Sequence, residues 1–148
     1  MSQDGVGVDL DTSLGYLLKQ AHNVLRAGMD AALRPLGMTV PQYACLELLA
    51  QRPGLSNSDL ARGAFVSRQS MNVLLQSLER DRLVSRPDKP SAGRALPVQL
   101  TPLGRERLQA ASAAARTVET QMGRGLTITQ QQQLRDLLAS CVRSLAES

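Results

Sequence analysis

The sequence predicts a mainly helical chain with one small β hairpin of two or three strands. Three observations lead there. Apolar residues recur at helical spacing through most of the 148 residues. Hydrophobic residues make up 43% of the chain but aromatics only 2%, namely Tyr16, Tyr43 and Phe65. The core must therefore come from Leu, Val, Ala and Met, which suits packed helices better than a β sandwich. Leu83-Val84 and the alternating Leu96, Val98 and Leu100 flank a turn-rich loop from Pro87 to Gly93, as strands of a hairpin do.

The elements follow in order. Residues 1–11 are polar and expected to be a short disordered arm. From Thr12 to Leu36, Leu14, Leu17, Leu18, Ala21, Val24, Leu25, Met29, Ala32 and Leu33 mark a long helix that Gly37 stops. Thr39 with Gln42 forms a capping box for the next helix, and Pro41 sits in its first turn, where a missing N–H is harmless. Ser56, with Asp59 three residues on, caps a short helix; Gly63 to Val66 is expected to turn the chain. Ser67 caps a longer helix whose buried stripe is Met71, Leu74, Leu75 and Leu78. A short helix, a tight turn containing Gly and a second helix with one apolar stripe make a helix-turn-helix, and the hairpin after it makes a wing. Thr101-Pro102 opens a helix to about Met122, and Thr127 with Gln130 opens the last, striped by Leu134, Leu137, Leu138, Cys141, Val142 and Leu145.

Charge agrees with this layout. The net charge is +4; Arg62 to Arg107 holds nine Lys/Arg against four Asp/Glu, a net of +5, leaving −1 for the remainder. A basic segment on a nearly neutral scaffold is the footprint of a nucleic-acid binder. The second helix of the motif turns Ser67, Arg68, Gln69, Ser70, Asn72, Val73 and Gln76 away from its stripe. Arg can fork onto guanine, Asn and Gln onto adenine, and Val can touch a thymine methyl. Lys89 and Arg94 on the wing suit the adjacent minor groove, and Ser56, Asn57 and Ser58 suit phosphates.

Other chemistries fare worse. One histidine, His22, no carboxylate cluster and no phosphate loop argue against an enzyme. Cys45 and Cys141 lie far apart on apolar stripes without a CxxC, so no metal or other cofactor is expected. No apolar run approaches the roughly 18 residues of a membrane span, and a soluble cytoplasmic protein is expected. A sequence-neutral architectural DNA binder and a thiol-based redox regulator are the alternatives to a sequence-specific regulator.

These pieces, in order, resemble the multiple-antibiotic-resistance regulator (MarR) family over roughly residues 12–146. The resemblance is carried by Leu-Gly-Tyr-Leu-Leu from Leu14, Gly-Met-Thr-Val-Pro-Gln-Tyr from Gly37 and Leu-Ala-Arg from Leu60. It continues through Val-Ser-Arg-Gln-Ser-Met-Asn from Val66, Leu-Glu-Arg-Asp-Arg-Leu-Val from Leu78, Gly93-Arg94 and Leu-Thr-Pro-Leu-Gly from Leu100. One position departs: the family's wing commonly holds an Asp shortly before its arginine, and here Ser91 or Ala92 stands there. The Ser-Ala-Gly-Arg-Ala-Leu-Pro wing is similar to an actinobacterial subgroup that responds to salicylate-like compounds. The resemblance implies a winged helix-turn-helix over 37–101 and a helical dimerisation region from 12–36 and 102–148. It also implies a homodimeric repressor on double-stranded, pseudo-palindromic DNA, released by a small aromatic acid. The effector crevice it implies would draw on Tyr16, Lys19, Gln20 and Asn23, with Met38, Tyr43, Leu46 and Arg86, and His22 as a further candidate.

Overall fold

The computed structural model describes residues 7–86 and 98–147. Six α-helices and a two-stranded sheet run in the order α1 (Leu14–Leu33), α2 (Val40–Gln51), α3 (Asn57–Ala64), α4 (Arg68–Arg80), β1 (Val84–Ser85), β2 (Gln99–Leu100), α5 (Pro102–Met122) and α6 (Ile128–Ala146). The strands are antiparallel, with Val84 opposite Leu100 and Ser85 opposite Gln99. The wing loop, including Lys89, Arg94 and Leu96, lies outside the described residues, as do residues 1–6 of the arm. The described end of that arm is exposed and turns where the Thr12 amide donates to the Asp9 carbonyl at 3.2 Å.

Local sequence explains most boundaries. Thr39 and Thr127 make complete capping boxes with Gln42 and Gln130, while Ser56, Ser67 and Thr101 each accept from an amide three residues on. Two boundaries differ from the sequence expectation. The first helix begins after Ser13, not Thr12, and ends at Leu33 rather than Leu36. Pro35 has no N–H to continue the ladder, so Arg34–Leu36 tighten into a 3₁₀ turn closed by Gly37 at φ 69°. The third helix passes through Gly63 to Ala64, and the turn falls on Phe65, which takes the left-handed conformation at φ 60°.

The core lies in the middle of the chain. Leu46, Leu49 and Cys45 of α2 pack with Leu60 and Ala61 of α3, and with Met71, Leu75 and Leu78 of α4. Leu83, Val84 and Val98 at the wing base close it on one side, and Leu33, Leu108 and Ala111 on another. Thr101 stitches wing to α5: its amide donates to the Leu83 carbonyl, and its hydroxyl donates to that of Arg82 at 2.7 Å. Gly104 packs so close that a Cβ there would lie 2.0 Å from the Leu83 carbonyl oxygen, so only glycine fits. α1 runs against α5, while α6 buries none of its side chains. Among the described residues, no helix is long and apolar enough to cross a membrane, and no His/Cys/Asp/Glu group could hold a metal ion.

Candidate nucleic-acid interface and the adjoining crevice

The helix-turn-helix is built from the inside out. Met71, Leu75 and Leu78 anchor α4 in the core, which leaves Arg68, Gln69, Asn72, Val73 and Gln76 exposed on the opposite face. Val73 is 61% exposed, an apolar side chain on an otherwise polar surface. Ser67 and Ser70 are tied into the helix start. The Ser67 hydroxyl oxygen accepts from the Ser70 amide at 3.0 Å, and its proton goes to the Ser70 hydroxyl at 2.9 Å. Ser56 caps α3 and accepts from the Asp59 amide at 3.1 Å. Asn57 and Ser58 are half-buried beside it, and the Asn57 amide nitrogen donates to the Asn72 side-chain oxygen at 2.9 Å. That cross-helix bond joins two residues that sequence reasoning treated separately. Arg62 pairs with Asp59 on the same helix, and hydrogen bonds from Ser56 and Arg62 hold the Asp59 carboxyl below its ordinary range.

A crevice of about 510 Å³ separates the helix-turn-helix from the long helices. One wall is His22, Leu25, Arg26 and Met29 of α1, with Ala115, Arg116 and Glu119 of α5. The other is Val40, Pro41, Tyr43 and Ala44 of α2, with Ala64, Phe65 and Val66 at the helix-turn-helix turn. Phe65 stands 93% exposed at the rim. The walls are apolar, with two guanidinium groups at one side, of which Arg26 is paired with Asp30 at 3.5 Å. Volumes of this size suit small organic ligands.

A polar cluster lies behind Tyr43. The Tyr43 hydroxyl donates to Glu47, which also accepts from Ser112 of α5 at 2.9 Å and from Gln51 at 3.0 Å. Burial, followed by the bond to Glu47, pushes the Tyr43 phenol up to about 12. For Glu47 burial acts to raise the pKa, but the bonds from Tyr43, Gln51 and Ser112 and the nearby Arg116 outweigh it, and the carboxyl is held low. The cluster thus bridges α2 and α5 with one ionised group.

The expected effector residues scatter. Of the eight, Tyr43 lines this crevice. Leu46 and Met38 are buried in the core and do not line it. Tyr16, Lys19, Gln20 and Asn23 are exposed on earlier turns of α1, and Arg86 pairs with Glu79 at the wing base. His22, the additional candidate, does line it. Arg116 and Glu119 escaped sequence reasoning because the alanine-rich α5 read only as scaffold. Cys45 is buried and its thiol is pushed by burial up to about 11, so it is a packed thiol and a poor nucleophile. Cys141 is exposed on α6.

A helix-turn-helix with a hairpin at its end and a polar second helix turned outward defines a winged DNA-binding protein. The MarR family model matches residues 36–95. The chain is 43% identical over 133 residues to the HTH-type transcriptional repressor Rv2887 of Mycobacterium tuberculosis, covering 90% of this chain and 96% of that relative. The crystal structure of Rv2887 with salicylic acid matches at a TM-score of 0.74 and 43% identity, over 88% of this chain and 97% of that one. Its complex with DNA matches at a TM-score of 0.74 and 40% identity, over 88% and 98%. The chain belongs to the MarR family and is a DNA-binding transcription regulator.

Proposed function

We propose that the protein is a homodimeric repressor, working in the cytoplasm where the DNA is, that leaves its operator when a small aromatic acid enters the crevice. The observation that carries this reading is the position of residues 64–66. They wall the crevice and directly precede Ser67, the cap of α4. A ligand pressed against that turn acts on the start of the recognition helix. It favours a geometry in which the two copies of α4 no longer match the groove spacing of roughly 34 Å.

On DNA, α4 enters the major groove, with Arg68, Gln69, Asn72, Val73 and Gln76 toward base edges. Ser56, Ser58, Ser67 and Ser70 lie toward the backbone, and Lys89 and Arg94 reach the flanking groove. Residues 37–101 form the DNA-binding unit, and 12–36 with 102–148 the pairing unit. The apolar residues that α1 and α6 leave exposed, among them Leu17, Leu18, Leu134 and Leu138, are the faces a second copy covers. The ligand class follows from an apolar slot whose polar wall sets Arg116, Arg26 and His22 against one carboxylate, Glu119, a cationic edge that suits a planar ring bearing a carboxylate. Rv2887, the relative at 43% identity, was crystallised with salicylic acid. No catalytic step is part of this reading.

Anisotropy of labelled DNA from upstream of the protein's own gene tests it. Rising salicylate or a related aromatic acid should release the DNA, and Arg116→Gln should shift the releasing concentration upward by about tenfold, as loss of one charge-assisted bond does. DNA that stays bound at millimolar levels of every aromatic acid tried would remove the effector role.

A further inference from the structure

We propose that Asn57 is a positioning residue that fixes the Asn72 amide, so that Asn72 offers hydrogen-bond donors to the DNA and reads a base acceptor. The inference rests on the placement of α4 in the major groove and goes one step beyond it.

Asn57 is the first residue of α3 and half-buried; Asn72 lies on the exposed face of α4. The Asn57 side-chain nitrogen donates to the Asn72 oxygen at 2.9 Å. An asparagine amide has one oxygen that accepts and one nitrogen that carries two donors. A free asparagine would use both ends at once on adenine, accepting from N6 and donating to N7. Here the oxygen is turned toward α3 and engaged, which turns the nitrogen the other way. The bidentate adenine contact is thereby disfavoured. Guanine O6 and N7 or thymine O4, which only accept, become the matching edges.

The bond also spans the turn. Asn57 and Asn72 are 15 residues apart, on opposite sides of Phe65 and the Ser67 cap. Loss of the bond frees the Asn72 amide to rotate, so one side chain on α3 controls what one side chain on α4 can recognise.

The experiment is selection from a randomised duplex pool with the full-length protein and its variants, read as base ratios at each position. Asn72→Ala locates the base pair by loss of preference there. The wild type should favour guanine or thymine at that position. Asn57→Ala should relax the preference several-fold, toward equal use of the four bases. Asn57→Asp is the sharper variant: an ionised carboxylate can only accept, so the Asn72 amide turns round and presents its oxygen. The preference should then move to adenine or cytosine, whose amino groups donate. Repulsion between the new charge and the phosphates weakens all sequences alike and cancels in the ratio. An unchanged preference in both Asn57 variants overturns the proposal. Arg68→Ala serves as the reference: if it and Asn72→Ala alter no position, the placement of α4 is wrong and the inference falls with it. If they alter positions and the Asn57 variants do not, the inference alone fails.

Discussion

The winged core and the helical arms put the same kinds of residues to opposite uses. In the core, Leu46, Leu60, Met71, Leu75 and Leu78 are fully buried within one chain. In α6, Leu138, Val142 and Leu145 repeat the i, i+4, i+7 spacing of Met71, Leu75 and Leu78 and remain open to solvent. The core is therefore specified by contacts inside the chain, while the arm's apolar stripe finds no cover among the described residues. Sequence periodicity cannot tell these apart, because a stripe says that a face will be covered and not by what. On the function proposed above, the two regions divide the work: one makes a surface, the other places two copies of it.

Substitutions should separate the two regions. The largest effect is expected at Gly104→Ala, where the new methyl meets the Leu83 carbonyl at 2.0 Å in a seam of backbone that cannot move aside. A loss on the order of 4 kcal/mol in urea unfolding is expected, as for severe core strain. Leu46→Ala, at a site with 0% exposure, should cost about 3 kcal/mol at every protein concentration. Leu137→Asp combined with Val142→Asp should act differently. Sedimentation should give half the mass, while the helical signal of the core persists and DNA affinity falls. If the arm variants unfolded the core as Leu46→Ala does, the division between regions would be wrong.

Smaller effects sharpen the seam between them. Thr39→Ala removes a complete capping box on α2 and should cost about 1 kcal/mol. Glu47 gives a pH signature. Its carboxyl is held below its ordinary 4.5 in the folded chain. Between that lowered value and 4.5 the folded state binds fewer protons, so stability rises with pH there. The contribution is present above about 4.5 and lost as the pH falls through the folded value. Glu47→Gln should therefore narrow its stability gap from the wild type in acid, as followed by thermal melts between pH 3 and 7.

Much of this was legible because it is local. Thr39, Ser56, Ser67, Thr101 and Thr127 announce helix starts within four residues, and each caps as expected. The errors came where a local signal had a distant cause. Gly63 reads as a turn but stays helical; a Cβ there would press on the Leu48 side chain at 3.0 Å, so it is a packing glycine. The turn falls on Phe65, inside the expected Gly63 to Val66 segment but two residues past the glycine, and no local rule selects Phe for a left-handed residue. The crevice gathers residues that the sequence did not bring together, for a similar reason. Arg116 and Glu119 join it only because α5 lies along α1, and Leu46, which looks available on α2, faces the core. The bond between Asn57 and Asn72 depends on the angle between two helices, and nothing in either segment reports that angle.

The central claim is that the core presents a sequence-reading surface which the arms hold in duplicate. Its most direct test is the affinity of the full-length protein for its own upstream DNA against a scrambled duplex of equal length at one fixed salt concentration. The account predicts a ratio of about 10³ or more. A ratio near one would mean that phosphate attraction is all the surface supplies, and would contradict it.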